Sequence, residues 1–119
     1  MKIKTLLAAA LGVGLMLAAG PASFAGNGEC GGASWYNLPG NKTASGARMN
    51  PQAMTAAHKS LPFGTQVRVT NQKNGKSIIV TINDRGPFIR GRILDLTPVA
   101  ANKLGFRNAG HTKVCLTRV

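Results

Sequence analysis

Three carboxylates carry all the acid chemistry available to this chain: Glu29, Asp84 and Asp95 stand against 15 Lys and Arg in 119 residues. Carboxylates suit general acid–base work, in which one group delivers a proton to a leaving oxygen and the same or another group takes one away. For a carboxyl to hold its proton near neutral pH it must be buried or lie beside a second carboxylate. Asp84 and Asp95 in one groove could meet both conditions, with His58 to orient or share a proton. Asp84 lies in Asn83-Asp84-Arg85-Gly86-Pro87-Phe88 and Asp95 in Arg92-Ile93-Leu94-Asp95-Leu96. Plainer readings compete at each position. Asp84 could be a turn residue that accepts hydrogen bonds from backbone N–H groups. Asp95 could pair with Arg92 or with an amide near Thr97. A lone His is commonly structural, and Glu29, in a Gly-rich stretch beside Cys30, is expected to touch only water.

Metal chemistry finds little support. Hard cations need several oxygen ligands close together, and two Cys with two His (His58, His111) lack the paired spacing of a zinc site. No metal or cofactor is expected.

Several elements must position these residues. Lys2 and Lys4 precede a charge-free apolar run from Leu6 to Ala19, followed by Gly20-Pro21 and the small residues Ser23 and Ala25. This pattern predicts a secretory signal peptide over residues 1–25, cut after Ala25, leaving one domain over 26–119. A mature form that does not span the membrane, exported to the periplasm or secreted, follows. The oxidising compartment makes one disulfide between Cys30 and Cys115 the favoured pairing, with two buried thiols as the alternative. The cationic surplus fits a protein that meets acidic polymers. The basic residues are scattered, without a Lys/Arg run or a basic helix, so a dedicated nucleic-acid binder is not expected.

Residues 26–32 read as a flexible lead-in. Ala33–Tyr36 has the bulk for a first strand, and Asn37–Pro51 reads as a long loop. Thr65–Thr70 alternates, with Val67 and Val69 on one face; Ser77–Asn83 returns with Ile78, Val80 and Ile82 on one face. Asn74-Gly75 between them signals a hairpin. Arg92–Leu96 and Thr112–Val119 are further strands. The helix signal lies between these two, with Thr97 as N-cap, Pro98 as first residue and Gly105 as stop; Val99, Ala100, Leu104 and the Lys103 stem are expected to pack it on the sheet. Short strands and one small helix point to an all-β barrel, since closure removes exposed edges.

The ordered set Ala33-Ser34-Trp35-Tyr36, Thr43-Ala44-Ser45-Gly46, Met54-Thr55-Ala56-Ala57-His58, Leu61-Pro62-Phe63-Gly64-Thr65, Val67-Arg68-Val69-Thr70-Asn71, Asn83-Asp84-Arg85-Gly86-Pro87-Phe88 and Arg92-Ile93-Leu94-Asp95-Leu96-Thr97 closely resembles the rare lipoprotein A (RlpA) family over residues 31–118. The resemblance implies a six-stranded double-psi β-barrel with one short helix and a glycan groove across one face. It implies lytic transglycosylase activity on peptidoglycan strands, preferring those stripped of stem peptides, by a monomer without cofactor. Asp84, Asp95 and His58 occupy positions tied to activity in this or related polysaccharide-active barrels. Ser34 and Tyr36 match the groove wall, and Arg85 and Arg92 are placed to bind muramyl carboxylates. This chain has Ala47 and Asn50 where many members carry a Glu and an Asp, and it reads as a short form without a C-terminal glycan-binding domain. Two rival readings remain: a non-catalytic, expansin-like glycan-binding or wall-loosening module, and a cationic protein that binds anionic polymers without specificity.

Overall fold

A computed structural model describes residues 28–119, so the segment read as a signal peptide and its expected cleavage site lie outside the described residues. Among the described residues six strands and one helix follow one another: β1 (Glu29–Trp35), β2 (Thr55–Ala57), β3 (Gln66–Asn71), β4 (Ser77–Asp84), β5 (Arg92–Leu96), α1 (Pro98–Leu104) and β6 (His111–Arg118). The strands close into a barrel in the order β1-β5-β2-β4-β3-β6. β1–β5 and β2–β4 are parallel, and the other four pairings antiparallel.

The period-two pattern explains the core. Val67, Val69, Val80, Ile82, Leu94, Leu96, Val114 and Leu116 point inward with Ala33 and Ala56, and α1 closes one side with Ala100, Ala101 and Leu104. Burying a side chain of this size contributes about 1.5–3 kcal/mol. Alternating residues such as Gln66 and Arg68 face water.

Three local expectations need correction. The lead-in is ordered from Glu29, because Cys30 is bonded to Cys115 and the two residues are register partners across β1 and β6. The glycines there serve a close crossing of strands. A Cβ on Gly31 would stand 2.8 Å from Ile93 Cγ2, and one on Gly32 3.1 Å from both Gly91 O and Arg92 Cδ. In α1, Thr97 holds the N-cap position, but its hydroxyl makes no cap bond and donates to Ala53 O at 2.7 Å. Ala101 is fully buried in the helix, whereas Val99 is half-buried and Lys103 exposed. Gly105 ends the helix at φ 80, as its sequence position predicts.

Asn71, buried at the end of β3, holds the helix to the hairpin. Its Nδ2 donates to Leu104 O at 2.8 Å, and its Oδ1 accepts from Thr112 Oγ1 and Lys73 N. A helix-end carbonyl that lacks an intrahelical partner is thereby satisfied. Residues 37–51 remain a loop, with one isolated bridge between Lys42 and Arg48.

Candidate active site

Strand register brings the two aspartates to one place. Ala57, at the end of the short strand β2, is the partner of Asp95 on β5 and of Asp84 on β4. Ser34 on β1 is the other partner of Asp95. The order Ser34, Asp95, Ala57, Asp84 thus runs across four neighbouring strands. At about 4.8 Å per strand, the two acid backbones lie about 10 Å apart.

The residues beside Trp35 supply a hydroxyl to each acid. Ser34 Oγ donates to Asp95 Oδ1 at 3.1 Å, and Tyr36 OH donates to Asp84 Oδ2 at 3.0 Å. Asp84 Oδ1 also accepts from Ala44 N at 2.8 Å and Arg85 N at 2.9 Å. The turn role expected for Asp84 is therefore present, and it coexists with a place beside Asp95. The loop residue Ala44 explains how the 37–51 segment is held over the site.

The environments of the two acids differ. Asp84 serves as acceptor to three donors. Asp95 has one recorded hydrogen-bond partner among the described residues, Ser34. Burial is the chief reason its pKa is raised above 3.8; the Ser34 bond and the Arg92 charge oppose the rise, and the Asp84 charge adds to it. Tyr36 is likewise pushed up, by burial first and then by Asp84, so its phenol stays a neutral donor.

Arg92 makes no ion pair with Asp95 among the described residues and acts on it only through the field. Arg85 turns away from the carboxylate. Its Nη1 donates to Leu61 O at 2.9 Å and His58 O at 3.2 Å, and its guanidinium stacks 4.1 Å from the Phe63 ring centroid. It fastens the turn after β2 to the end of β4.

His58 is 4% exposed, and its ring reaches neither aspartate. Nδ1 accepts from Ser60 N at 3.0 Å and Leu61 N at 3.1 Å, which places the neutral ring's proton on Nε2. Nε2 then donates to Glu29 Oε1 at 2.8 Å. Through its backbone, His58 N donates to Asp84 O at 3.1 Å. Glu29, expected to touch only water, is thus the partner of a buried imidazole. The sequence signal was the Gly-rich surroundings, which concealed a strand end close to the turn after β2.

One consequence is measurable. Glu29→Ala removes the partner of Nε2–H, but the Glu29 side chain is 48% exposed and water can take its place, so stability falls by about 0.5–1.5 kcal/mol. Glu29→Gln keeps an acceptor and stays within about 0.5 kcal/mol of the parent. Urea unfolding of the two variants checks the pair; equal losses in both would show that the contact carries no weight.

With this geometry in place, comparison with known proteins is informative. The chain matches the lytic transglycolase family over residues 28–116. It is 56% identical over 95 residues to the probable endolytic peptidoglycan transglycosylase RlpA of Nostoc sp., covering 80% of this chain and 24% of that one. It is 54% identical over 90 residues to the endolytic peptidoglycan transglycosylase RlpA of Neisseria meningitidis, covering 72% and 38%. Each relative is therefore much longer than the chain. Among solved structures, the apo expansin of Clavibacter michiganensis superposes with TM-score 0.62 at 28% identity, covering 77% of this chain and 50% of that one, and a point mutant of that expansin has been solved in complex with cellohexaose.

Proposed function

We propose that this chain, which belongs to the lytic transglycolase family of double-psi β-barrels, cleaves peptidoglycan glycan strands by intramolecular transglycosylation. The observation that carries the reading is the pair of aspartates flanking Ala57, with one carboxyl raised by burial and the other held by three donors.

In the proposed reaction, protonated Asp95 gives its proton to the glycosidic oxygen as the bond to the anomeric carbon breaks. The Asp95 carboxylate then accepts the proton of the sugar's own 6-hydroxyl, whose oxygen closes on the anomeric carbon. The product is a 1,6-anhydromuramyl end, and no water is activated. One acid suffices, unlike hydrolysis, which needs two carboxylates. Asp84 supplies a fixed negative charge beside the oxocarbenium-like centre. Ser34 and Tyr36 hold the acids, and Arg85 and His58 act as positioning residues at the end of β4. Arg92 stands nearest the sugar carboxylates.

A single assay tests this. The mature protein is incubated with peptide-free glycan strands, and the products are searched by mass spectrometry for 1,6-anhydromuramyl ends. Binding without such ends would instead support an expansin-like module, the reading favoured by the structural likeness to an expansin. Asp84→Asn is expected to fold normally, because Tyr36 can reorient its hydroxyl to accept from the new amide. Turnover falls by on the order of 10²-fold with the lost charge. The high-pH limb of activity moves down, since the Asp84 charge helps hold the proton on Asp95. A pH–rate profile of the variant with an unmoved limb would contradict the coupling.

The leader pattern supports export with removal of residues 1–25 and action in the periplasm or outside the cell; the proposed enzyme works there as a monomer on peptide-poor strands, without nucleic acid as partner.

A further inference from the structure

The face that carries Ser34 continues along β1 into a cavity of about 470 Å³ lined by Gly32, Gly91, Lys73, His111, Thr112 and Lys113. Ser34 and Gly32 flank the buried Ala33, so both belong to the outer face of β1. Their partners on β6 are His111 and Lys113. The cavity therefore begins one step along the same face, about 7 Å from the hydroxyl that holds Asp95.

Its charge has one sign. Two lysines and a histidine line it, and no carboxylate does. Among the described residues no lysine or arginine pairs with a carboxylate, the one close contact of an acid with a basic side chain being the Glu29–His58 hydrogen bond, so Lys73 and Lys113 have no carboxylate partner. Arg92 flanks Gly32 from the other side. The polar groups of the floor are already used: Gly32 N donates to Gly91 O, and Thr112 Oγ1 to Asn71 Oδ1. What remains to bind a ligand is the unpaired positive charge, in a volume within the range of small-ligand sites.

We propose that this cavity is a subsite for a carboxylate-bearing substituent of the glycan strand, seated beside the bond that Asp95 protonates. The proposal rests on the transglycosylase reading for its position, but its binding chemistry stands separately. It makes Lys73 and Lys113 specificity determinants for acidic over neutral sugars.

The test uses the full mature chain, peptide-free strands, and the same strands with their carboxyls reduced to alcohols. Wild type is expected to bind the carboxylate strands about tenfold more tightly than the reduced ones. Lys73→Gln with Lys113→Gln should lose most of this preference, the remainder being due to Arg92. A control with the same loss of charge on exposed residues elsewhere, Lys103→Gln with Arg118→Gln, should keep the discrimination. Equal discrimination in the cavity variant and wild type overturns the proposal. So does equal loss in the control, which would reduce the effect to net charge. Displacement by inorganic phosphate without any effect of carboxyl reduction assigns the site to phosphate and overturns the carboxylate assignment. Binding is read without turnover. Discrimination without anhydro ends therefore sinks the transglycosylase reading and leaves the subsite standing, and anhydro ends without discrimination do the reverse.

Discussion

Asp95→Asn is expected to stop turnover and, at neutral pH, to make the protein more resistant to heat. The first effect follows from the loss of the proton donor, worth on the order of 10²–10⁴ in rate. The second follows from linkage. Burial raises the Asp95 pKa in the folded chain above 3.8. The stability contributed by the neutral carboxyl is fully present below that unfolded value and is lost as pH rises through the folded one. Asn has no proton to lose and keeps an oxygen for the Ser34 hydroxyl. At pH 7 the variant therefore melts higher than the parent, and the gap closes as pH falls towards 3.8. Melting curves between pH 3 and pH 8, with anhydro-end assays at pH 7, check both halves. A variant that retains turnover, or that melts lower at every pH, removes Asp95 from the donor role.

Removing the disulfide is expected to have the largest effect on stability. Cys30 and Cys115 are separated by 85 residues and join the first strand to the last. In the chain-entropy model, closing so long a loop stabilises by about 4–5 kcal/mol. A small domain has about 5–15 kcal/mol in total, so Cys30→Ser with Cys115→Ser leaves the barrel marginal. The loss spreads to the site through β1, since Glu29 reaches His58 and Ser34 reaches Asp95 from that strand. Urea unfolding of oxidised and variant protein should show a much lower midpoint with a similar slope. A shift equivalent to less than about 1 kcal/mol would mean that the strand pairing alone holds the ends.

Much of the barrel was legible because its signals are local. The alternation in β3 and β4, the Asn74-Gly75 turn and the Pro98 and Gly105 limits of α1 each sit within a few residues. The cysteine pair was legible through compartment chemistry. The site was legible in part. Asp84 and Asp95 could be named as the acids to watch, and the resemblance added Ser34 and Tyr36. Their arrangement depends on one parallel and one antiparallel pairing between distant strands, with Ala57 as the shared partner, and no spacing in the chain encodes that register. Glu29 was missed for the same reason: its partner is 29 residues away. Arg85, read as a sugar ligand, has Nη1 committed to two carbonyls and its plane to Phe63. Sequence does not reveal backbone acceptors created by a turn.

The closed strand order has a consequence for how the protein comes into being. Among the described residues β1 pairs only with β5 and β6, the last two strands of the barrel in chain order. As the chain elongates, the barrel's first strand has no partner until nearly all of the barrel sequence has emerged. Such non-local topologies fold slowly. That delay suits a polypeptide threaded unfolded through a membrane, as the proposed leader requires. Ser34 then meets Asp95 only once the barrel has closed, on the far side.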